Sequence, residues 1–176
     1  GILNDMFLNR TRPFYKSAFL YNLKEILKDD FVSYIEKRFR DTGKLCASEV
    51  AVQIYDMARG YPYYVQKLGS IVWDMTEKKC NPNVIKEAYR ILLNMEAVDF
   101  EGIWNGLTLI QKSVLKAVAK EPTLSPYARE FLERHRLSIG GTQRAMKVLF
   151  SRDLIEKDGE NRYRLTDPII EAWLRD

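Results

Sequence analysis

The stretch LSIGGTQRAMKVLFSRDLIEKDGENRYRLTD, residues 137–167, contains the pattern that decides the fold. Its first half places apolar residues at helical spacing, with Ala145, Val148 and Leu149 on the expected inner face. Its second half holds two short strand-like runs around Asp158 and Gly159, a residue pair typical of tight hairpin turns. The stretch therefore predicts a helix followed by a β-hairpin.

Two more helices are expected immediately before this stretch. Thr108 is a typical N-cap for the segment LIQKSVLKAVAK, and Ser125 and Pro126 are expected to open a helix through YAREFLERH. Three helices and a hairpin follow the order of a winged helix, which is a helix-turn-helix with a β wing. Asp167 then caps a last amphipathic helix. We therefore assign residues 107–176 to a winged-helix domain.

Residues 24–106 show helical periodicity in four successive segments. Each segment begins with residues that favour a helix start, and the fourth is expected to bury Ala88, Leu92, Met95 and Val98. The four starts are Asp29–Asp30, Ser48, Pro62 and Asn81-Pro82. Four consecutive amphipathic helices predict a small bundle, so the chain as a whole is expected to be mainly α.

The first 23 residues do not fit either domain. The run SAFLYNL, residues 17–23, is apolar and strand-like. Because a lone strand leaves its backbone donors and acceptors unpaired, we expect this strand to belong to a sheet that the chain does not contain. The abrupt start at Gly1 fits a piece cut from a longer protein.

Composition excludes several classes of protein. With 46% hydrophobic residues the chain can bury a core, and no apolar run reaches the roughly 20 residues that span a membrane. No secretion signal is visible at the start. Cys46 and Cys80 lie far apart in the sequence without metal-ligand spacing. We expect free thiols, no metal site, and a cytoplasmic location.

Catalytic residues are not expected in this chain. His135 is the single histidine, and without cysteine or carboxylate partners at ligand spacing it is expected to be a solvated or capping residue. The sequence contains no phosphate-binding loop of the form G-x-x-x-x-G-K-[ST] and no hydrolase or metalloprotease motif.

A nucleic-acid interface is one hypothesis for the winged helix. The second helix of a helix-turn-helix offers polar residues near its start to the major groove, and wing residues can reach the backbone. Residues 108–176 hold 13 Lys and Arg against 10 Asp and Glu, and the chain has a net charge of +4. A solvated face or a protein contact explains the same pattern. The candidates are Thr142, Gln143, Arg144 and Lys147 in the helix and Arg162 and Arg164 in the wing.

The segment MARGYPYYVQKLGS, residues 57–70, marks a second candidate site. As structure alone, Gly60 ends one helix and Pro62 starts the next with a pre-set φ. A helix start also offers unbonded backbone N–H groups to phosphates. The nearby tyrosines offer surfaces for stacking a base. These tyrosines are Tyr61, Tyr63 and Tyr64.

Four segments together resemble the C-terminal part of a known family. LNDMFLNRTRPFY, LKEILKDDFVSYIEKRF, GYPYYVQKLGSIVWD and the closing DPIIEAWL resemble archaeal and bacterial ATPases of the STAND class, which are related to AAA+ proteins. The resemblance covers essentially the whole chain. It implies three parts, namely a P-loop ATPase core, a helical AAA+-type lid and a winged helix.

The resemblance also implies a role for each part. Residues 1–23 would be the tail of a missing ATPase core, residues 24–106 the lid and residues 107–176 the winged helix. The Gly-x-Pro turn of the lid lies over the adenine nucleotide, which here corresponds to Gly60, Tyr61 and Pro62. ATP or ADP with Mg²⁺ would bind the full-length protein, whose P-loop would lie upstream of Gly1. The chain would then be the regulatory part of a nucleotide-dependent switch.

Without a P-loop, this chain alone should neither hydrolyse ATP nor bind it tightly. The leading alternative is a stand-alone winged-helix DNA-binding regulator whose helical bundle serves for dimerisation. A protein-binding adaptor is a third possibility. The partner of the winged helix, DNA or protein, stays open at this point.

Overall fold

A computed structural model describes residues 27–175, so the predicted strand 17–23 and the assignment of residues 1–23 lie outside the described residues. The described residues contain eight helices and a two-stranded antiparallel sheet, which confirms the predicted mainly α fold. The helices are α1 (Lys28–Asp41), α2 (Ser48–Met57), α3 (Pro62–Met75), α4 (Pro82–Asn105), α5 (Leu109–Lys120), α6 (Arg129–Arg134), α7 (Ile139–Ser151) and α8 (Pro168–Arg175). The strands are β1 (Ile155–Lys157) and β2 (Tyr163–Leu165).

The chain divides into two compact units, with the boundary between Glu101 and Gly102. Within the described part, no helix is both long and apolar enough to cross a membrane. Among the described residues, we call 27–101 the helical unit and 102–175 the winged unit. Each is described by itself.

The helical unit is built on amphipathic helices with one buried face each. In α1 the buried residues Phe31, Ile35 and Phe39 recur every four positions, as a helical stripe requires. The prediction that Ser48 caps α2 is wrong. The N-cap position is Ala47, whose backbone is extended, and Ser48 is the first helical residue. No side chain bonds to the free N–H groups at this helix start.

Helix α4 starts as predicted, but only part of its predicted inner face is buried. The Asn81 side-chain oxygen accepts hydrogen bonds from the backbone N–H groups of Asn83 and Val84, at 3.0 and 3.2 Å. Met95 and Val98, predicted to be inside, are 54% and 75% exposed. Ala88 and Leu92 are buried as predicted, and the buried face is completed by Ile85, Leu93, Glu96 and Phe100.

Helix α5 of the winged unit begins with a complete capping box. The Thr108 hydroxyl accepts from the backbone N–H of Gln111, and the Gln111 side chain accepts from the backbone N–H of Thr108. Helix α6 starts at Arg129, not at Ser125 as predicted. The backbone N–H of Ala128 donates to the Ser125 carbonyl, so these residues form a turn before the helix.

The hairpin and the last helix complete the winged unit. Ile155 pairs with Leu165 across the hairpin, and both side chains are buried in the core. Asp167 caps α8 as predicted, because its carboxylate accepts from the N–H groups of Ile169 and Ile170. This arrangement of α5, α6 and α7 followed by β1 and β2 confirms the predicted winged helix.

Candidate functional site

The corner between α2 and α3 is a tight turn formed by its own backbone. The N–H of Gly60 donates to the Tyr55 carbonyl and the N–H of Arg59 donates to the Asp56 carbonyl, both at 3.0 Å. These two bonds form a Schellman motif, which satisfies the carbonyls at the end of α2. Arg59 and Gly60 both have positive φ, of 48° and 69°. Pro62 then occupies the first position of α3.

Gly60 is required at this corner for two physical reasons. Its φ lies in the left-handed region, which side chains disfavour. In addition, a Cβ at this position would lie 2.5 Å from the Tyr55 Oη and 2.7 Å from its Cζ. The turn therefore explains the glycine without any ligand.

The three tyrosines of the corner differ in accessibility. Tyr63 is 58% exposed, Tyr61 is half-buried and Tyr64 is buried. The Tyr64 ring lies 6.4 Å from that of Tyr61 and 5.1 Å from that of Tyr63, measured between centroids. Tyr64 thus supports the other two rings from beneath. Tyr61, Tyr63 and the exposed Pro62 are the residues that can offer an apolar surface to a ligand.

A buried carboxylate holds this aromatic edge in place. Glu96 on α4 is only 6% exposed and forms a short ion pair with Lys67 on α3. The Lys67 amino group also donates to the Tyr63 hydroxyl at 2.9 Å, and that hydroxyl lies 3.3 Å from Glu96. The hydrogen bond to Glu96 is the main reason that the pKa of Lys67 is raised. Sequence reasoning missed Glu96, although it lies four residues after the predicted inner residue Leu92, because glutamate is rarely buried.

The corner does not line the cleft of the helical unit. A cleft of about 410 Å³ lies between α1 and α3, walled by side chains that include Phe31, Tyr34 and Trp73. Gly60, Tyr61 and Pro62 are not among its lining residues. A ligand held at the corner would therefore lie outside this cleft.

Helix α7 of the winged unit exposes three of its four predicted contact residues. Gln143, Arg144 and Lys147 are on the solvent face. Val148, predicted to face inward, is 37% exposed, because it follows Lys147 on the solvent side of the helix. Thr142 is fully buried, and its hydroxyl donates to the Ser138 carbonyl at 2.9 Å. A buried hydroxyl cannot reach a nucleic acid, so Thr142 has to be removed from the predicted interface.

The two wing arginines are engaged within the winged unit. The Arg162 guanidinium lies 2.9 Å from Asp158 and 3.1 Å from Glu160. Arg164 is mostly buried and lies 3.8 Å from the buried Glu171. Both cations are thus accompanied by carboxylates, which weakens the attraction that the wing could exert on phosphates.

Apolar residues border the start of α7. Ile139 is 55% exposed and Leu109, at the start of α5, is 83% exposed. Ile110 lies beside Gly141, because a Cβ on that glycine would be 3.2 Å from the Ile110 side chain. The starts of α5 and α7 therefore lie next to each other. Exposed apolar side chains occur where a DNA-binding winged helix would present polar ones.

His135 is a structural residue at the end of α6. It is the C-cap of α6, and its Nε2 lies 2.9 Å from a carboxylate oxygen of Glu121. Glu121 also forms a short ion pair with Arg134. Burial raises the pKa of Glu121, but hydrogen bonds from His135 and Arg134 outweigh it, so the pKa lies below its ordinary value. The predicted capping position is confirmed, whereas the side chain is part-buried and not solvated.

Comparison with known proteins gives a match to a family model and matches to solved structures. Residues 98–176 match the model of a family described as a probable winged helix domain. No curated protein matches the sequence. A Walker-type ATPase of Pyrococcus abyssi has a solved structure that superimposes with a TM-score of 0.71 at 16% identity. The match covers 99% of this chain and 50% of that chain.

At this identity the structural match shows a shared fold and nothing finer. It confirms, at the level of fold, the predicted resemblance to part of a P-loop ATPase. The chain spans half the length of that ATPase. Activity, nucleotide binding and partners of the whole protein are therefore matters for proposal.

Proposed function

We propose that the chain is the regulatory part of a larger P-loop ATPase, in which the helical unit acts as a lid over ATP or ADP with Mg²⁺. The observation that carries this proposal is the fold that nearly the whole chain shares with half of a Walker-type ATPase. These 176 residues contain no phosphate-binding loop, so under this proposal another part of the protein would have to hold the phosphates.

The corner formed by Gly60, Tyr61 and Pro62 is the part of the lid that we propose to contact the adenine. Pro62 and the neighbouring Tyr63 are exposed, and Tyr64 and the Lys67–Glu96 pair support them from behind. Such a rigid apolar edge suits the face of a purine. The remainder of the nucleotide, including its phosphates and Mg²⁺, would be held by the proposed ATPase core.

Photolabelling of the full-length protein tests this assignment. The protein is incubated with azido-ATP and Mg²⁺, irradiated, and then digested with trypsin. We expect the label on GYPYYVQK, the tryptic peptide that spans residues 60–67. Tyr61→Ala should weaken nucleotide binding about tenfold, as the loss of one stacking side chain does, whereas the control Tyr34→Ala should not. Labelling confined to other peptides of the chain would contradict the proposal.

For the winged unit we propose contact with a protein in preference to DNA. The wing arginines are already paired, and the start of α7 is bordered by Leu109 and Ile139. An apolar patch with a cationic edge, here Arg144 and Lys147, is typical of a protein interface whose rim is charged. The exposed Arg144 and Lys147 are the features that favour DNA.

Two measurements separate the alternatives. A photocrosslinking residue at position 139 should form a specific adduct with a protein, and Leu109→Ser should abolish it. The same crosslinker at the exposed position 37 of α1 serves as the control. Duplex DNA should not bind in a fluorescence anisotropy titration at low salt. Salt-dependent DNA binding that Arg144→Ala and Lys147→Ala weaken, and Lys37→Ala does not, would instead establish the DNA-binding regulator.

A further inference from the structure

Two cysteines that are distant in the sequence lie side by side in the helical unit. Leu45 and Lys79 form an isolated parallel β-bridge. The backbone N–H of Leu45 donates to the Lys78 carbonyl at 2.8 Å, and the N–H of Cys80 donates to the Leu45 carbonyl at 2.9 Å. One residue further along each of the two bridged segments, Cys46 and Cys80 occupy opposite positions.

The alternation of side chains turns both cysteines to the same side of this bridge. Leu45 is 59% exposed and Lys79 is also exposed, so the next residue in each segment points inward. Accordingly, Cys80 is buried and Cys46 is half-buried. Paired strands lie about 4.8 Å apart, and disulfides join residues whose Cα atoms are about 4.4–6.8 Å apart. The bridge therefore brings the two residues to a separation that a disulfide can span.

We propose that Cys46 and Cys80, free thiols in the reduced protein, are a site of reversible disulfide formation with a low-molecular-weight disulfide such as oxidised glutathione. The Cys46 thiolate attacks one glutathione sulfur, which breaks the S–S bond and releases one glutathione thiol. The Cys80 thiolate then attacks the Cys46 sulfur, forms the Cys46–Cys80 bond and releases the second thiol. The two cysteines lose two electrons and two protons, and oxidised glutathione gains them.

The bond would enclose the segment that carries the proposed nucleotide corner. Residues 46–80 include α2, α3 and Gly60–Pro62 between them. Closing this loop restricts the unfolded chain, so the oxidised helical unit should be more stable than the reduced one. The inference itself rests on the bridge and its two cysteines, and it stands whether or not the corner contacts a nucleotide.

Both thiols are slow to react because they are seldom ionised. Burial, and then the neighbouring Cys80 and Glu36, raise the pKa of Cys46 to about 12. Burial also raises the pKa of Cys80, against hydrogen bonds with Thr76 and the Asn81 backbone. A thiol of raised pKa supplies little thiolate near neutral pH. Exchange should therefore be slower than at an exposed thiol of ordinary pKa, and the pair should respond to a lasting change in redox conditions.

The whole chain is treated with oxidised glutathione in native buffer. The reaction is stopped with acid, and the protein is digested with trypsin without reductant. We expect a cross-linked product of the peptides LCASEVAVQIYDMAR and CNPNVIK, two hydrogens lighter than their sum, that a reductant separates again. The unfolding temperature of the helical unit should rise by at least about 5 °C on oxidation.

Cys46→Ser and Cys80→Ser are the matched controls, and neither should give the cross-link or the thermal shift. Three results on the unaltered chain would overturn the proposal. They are glutathione adducts without a cross-link, a cross-link formed only in denaturant, and disulfides formed only between two chains. Because these three results need no variant, the outcome does not depend on whether the serine variants fold.

Discussion

Replacing Gly60 by alanine should destabilise the helical unit more than a glycine substitution at an open turn. The left-handed backbone, with φ of 69°, costs an alanine about 1–2 kcal/mol. The added Cβ would also lie 2.5 Å from the Tyr55 Oη, so the ring or the turn must move, which adds about 1–3 kcal/mol. We therefore expect the free energy of unfolding to fall by about 2–5 kcal/mol.

The chain contains a matched control for this substitution. Gly43 has a φ of 76°, but a Cβ there would meet nothing within 4 Å. Gly43→Ala should therefore cost only the backbone contribution, about 1–2 kcal/mol. In a Tyr55→Ala background, Gly60→Ala should lose its excess cost, because the group that it strikes is gone.

Urea unfolding followed by tryptophan fluorescence measures these differences. Trp73 is in the helical unit, and the other two tryptophans, Trp104 and Trp173, are in the winged unit. A Trp104→Phe, Trp173→Phe background therefore confines the signal to the helical unit. Equal costs for Gly60→Ala and Gly43→Ala, or an unchanged excess in the Tyr55→Ala background, would refute the reasoning.

Three further outcomes follow from single contacts. Glu96→Ala leaves Lys67 without its buried partner and should cost about 2–3 kcal/mol in urea unfolding, whereas the exposed Glu87→Ala should cost less than about 0.5 kcal/mol. Thr108→Ala removes the capping box and should cost the winged unit about 1 kcal/mol by the same method. The folded-state pKa of Glu121 is lowered, so its contribution to stability is complete above an unfolded pKa of about 4.3 and disappears as pH falls through the folded value. Thermal unfolding from pH 5 down to pH 2 should therefore show a steeper loss of stability in the unaltered chain than in Glu121→Gln.

Local signals predicted the parts of the fold that local contacts determine. The hairpin connection, the Thr108 capping box and the Asp167 cap each depend on residues within about four positions of one another. The tight Asp158-Gly159 turn was wrong in detail, because residues 158–162 connect the strands and Asn161, not Gly159, has the positive φ. The sequence contains both partners of each interaction, so the pattern can identify them. Ser48 shows the limit, since a suitable residue one position too late in the chain makes no cap.

The buried face of α4 could not be predicted in the same way. Apolar residues occur on more than one side of this helix, and moving the assumed face by one residue turns it by about 100°. The choice is made by tertiary contacts, which include the ion pair between Lys67 and Glu96. Glutamate is rarely buried in proteins, and Lys67, the partner of Glu96, is 29 residues away in the sequence.

Thr142 differs from Glu96, because the sequence did contain the signal that it is buried. It lies three residues before Ala145 and seven before Leu149, so all three share one face of α7. Its polarity and its place near the helix start favoured a contact role instead. Helical position should outweigh residue type when a threonine falls on an apolar face, because its hydroxyl can bond to the backbone four residues earlier, as Thr142 does to Ser138.

The corner shows how a structural role and a ligand role can be told apart. Its glycine is explained by the backbone and by Tyr55, so the need for Gly60 carries no information about a nucleotide. The exposed surface of Pro62 and Tyr63 is different, because the turn does not require an aromatic residue to face solvent. Gly60→Ala should therefore change stability first, and Tyr61→Ala should also change nucleotide affinity. If both substitutions changed only stability, the corner would be a turn alone, and the proposed lid would have to contact its nucleotide through other residues.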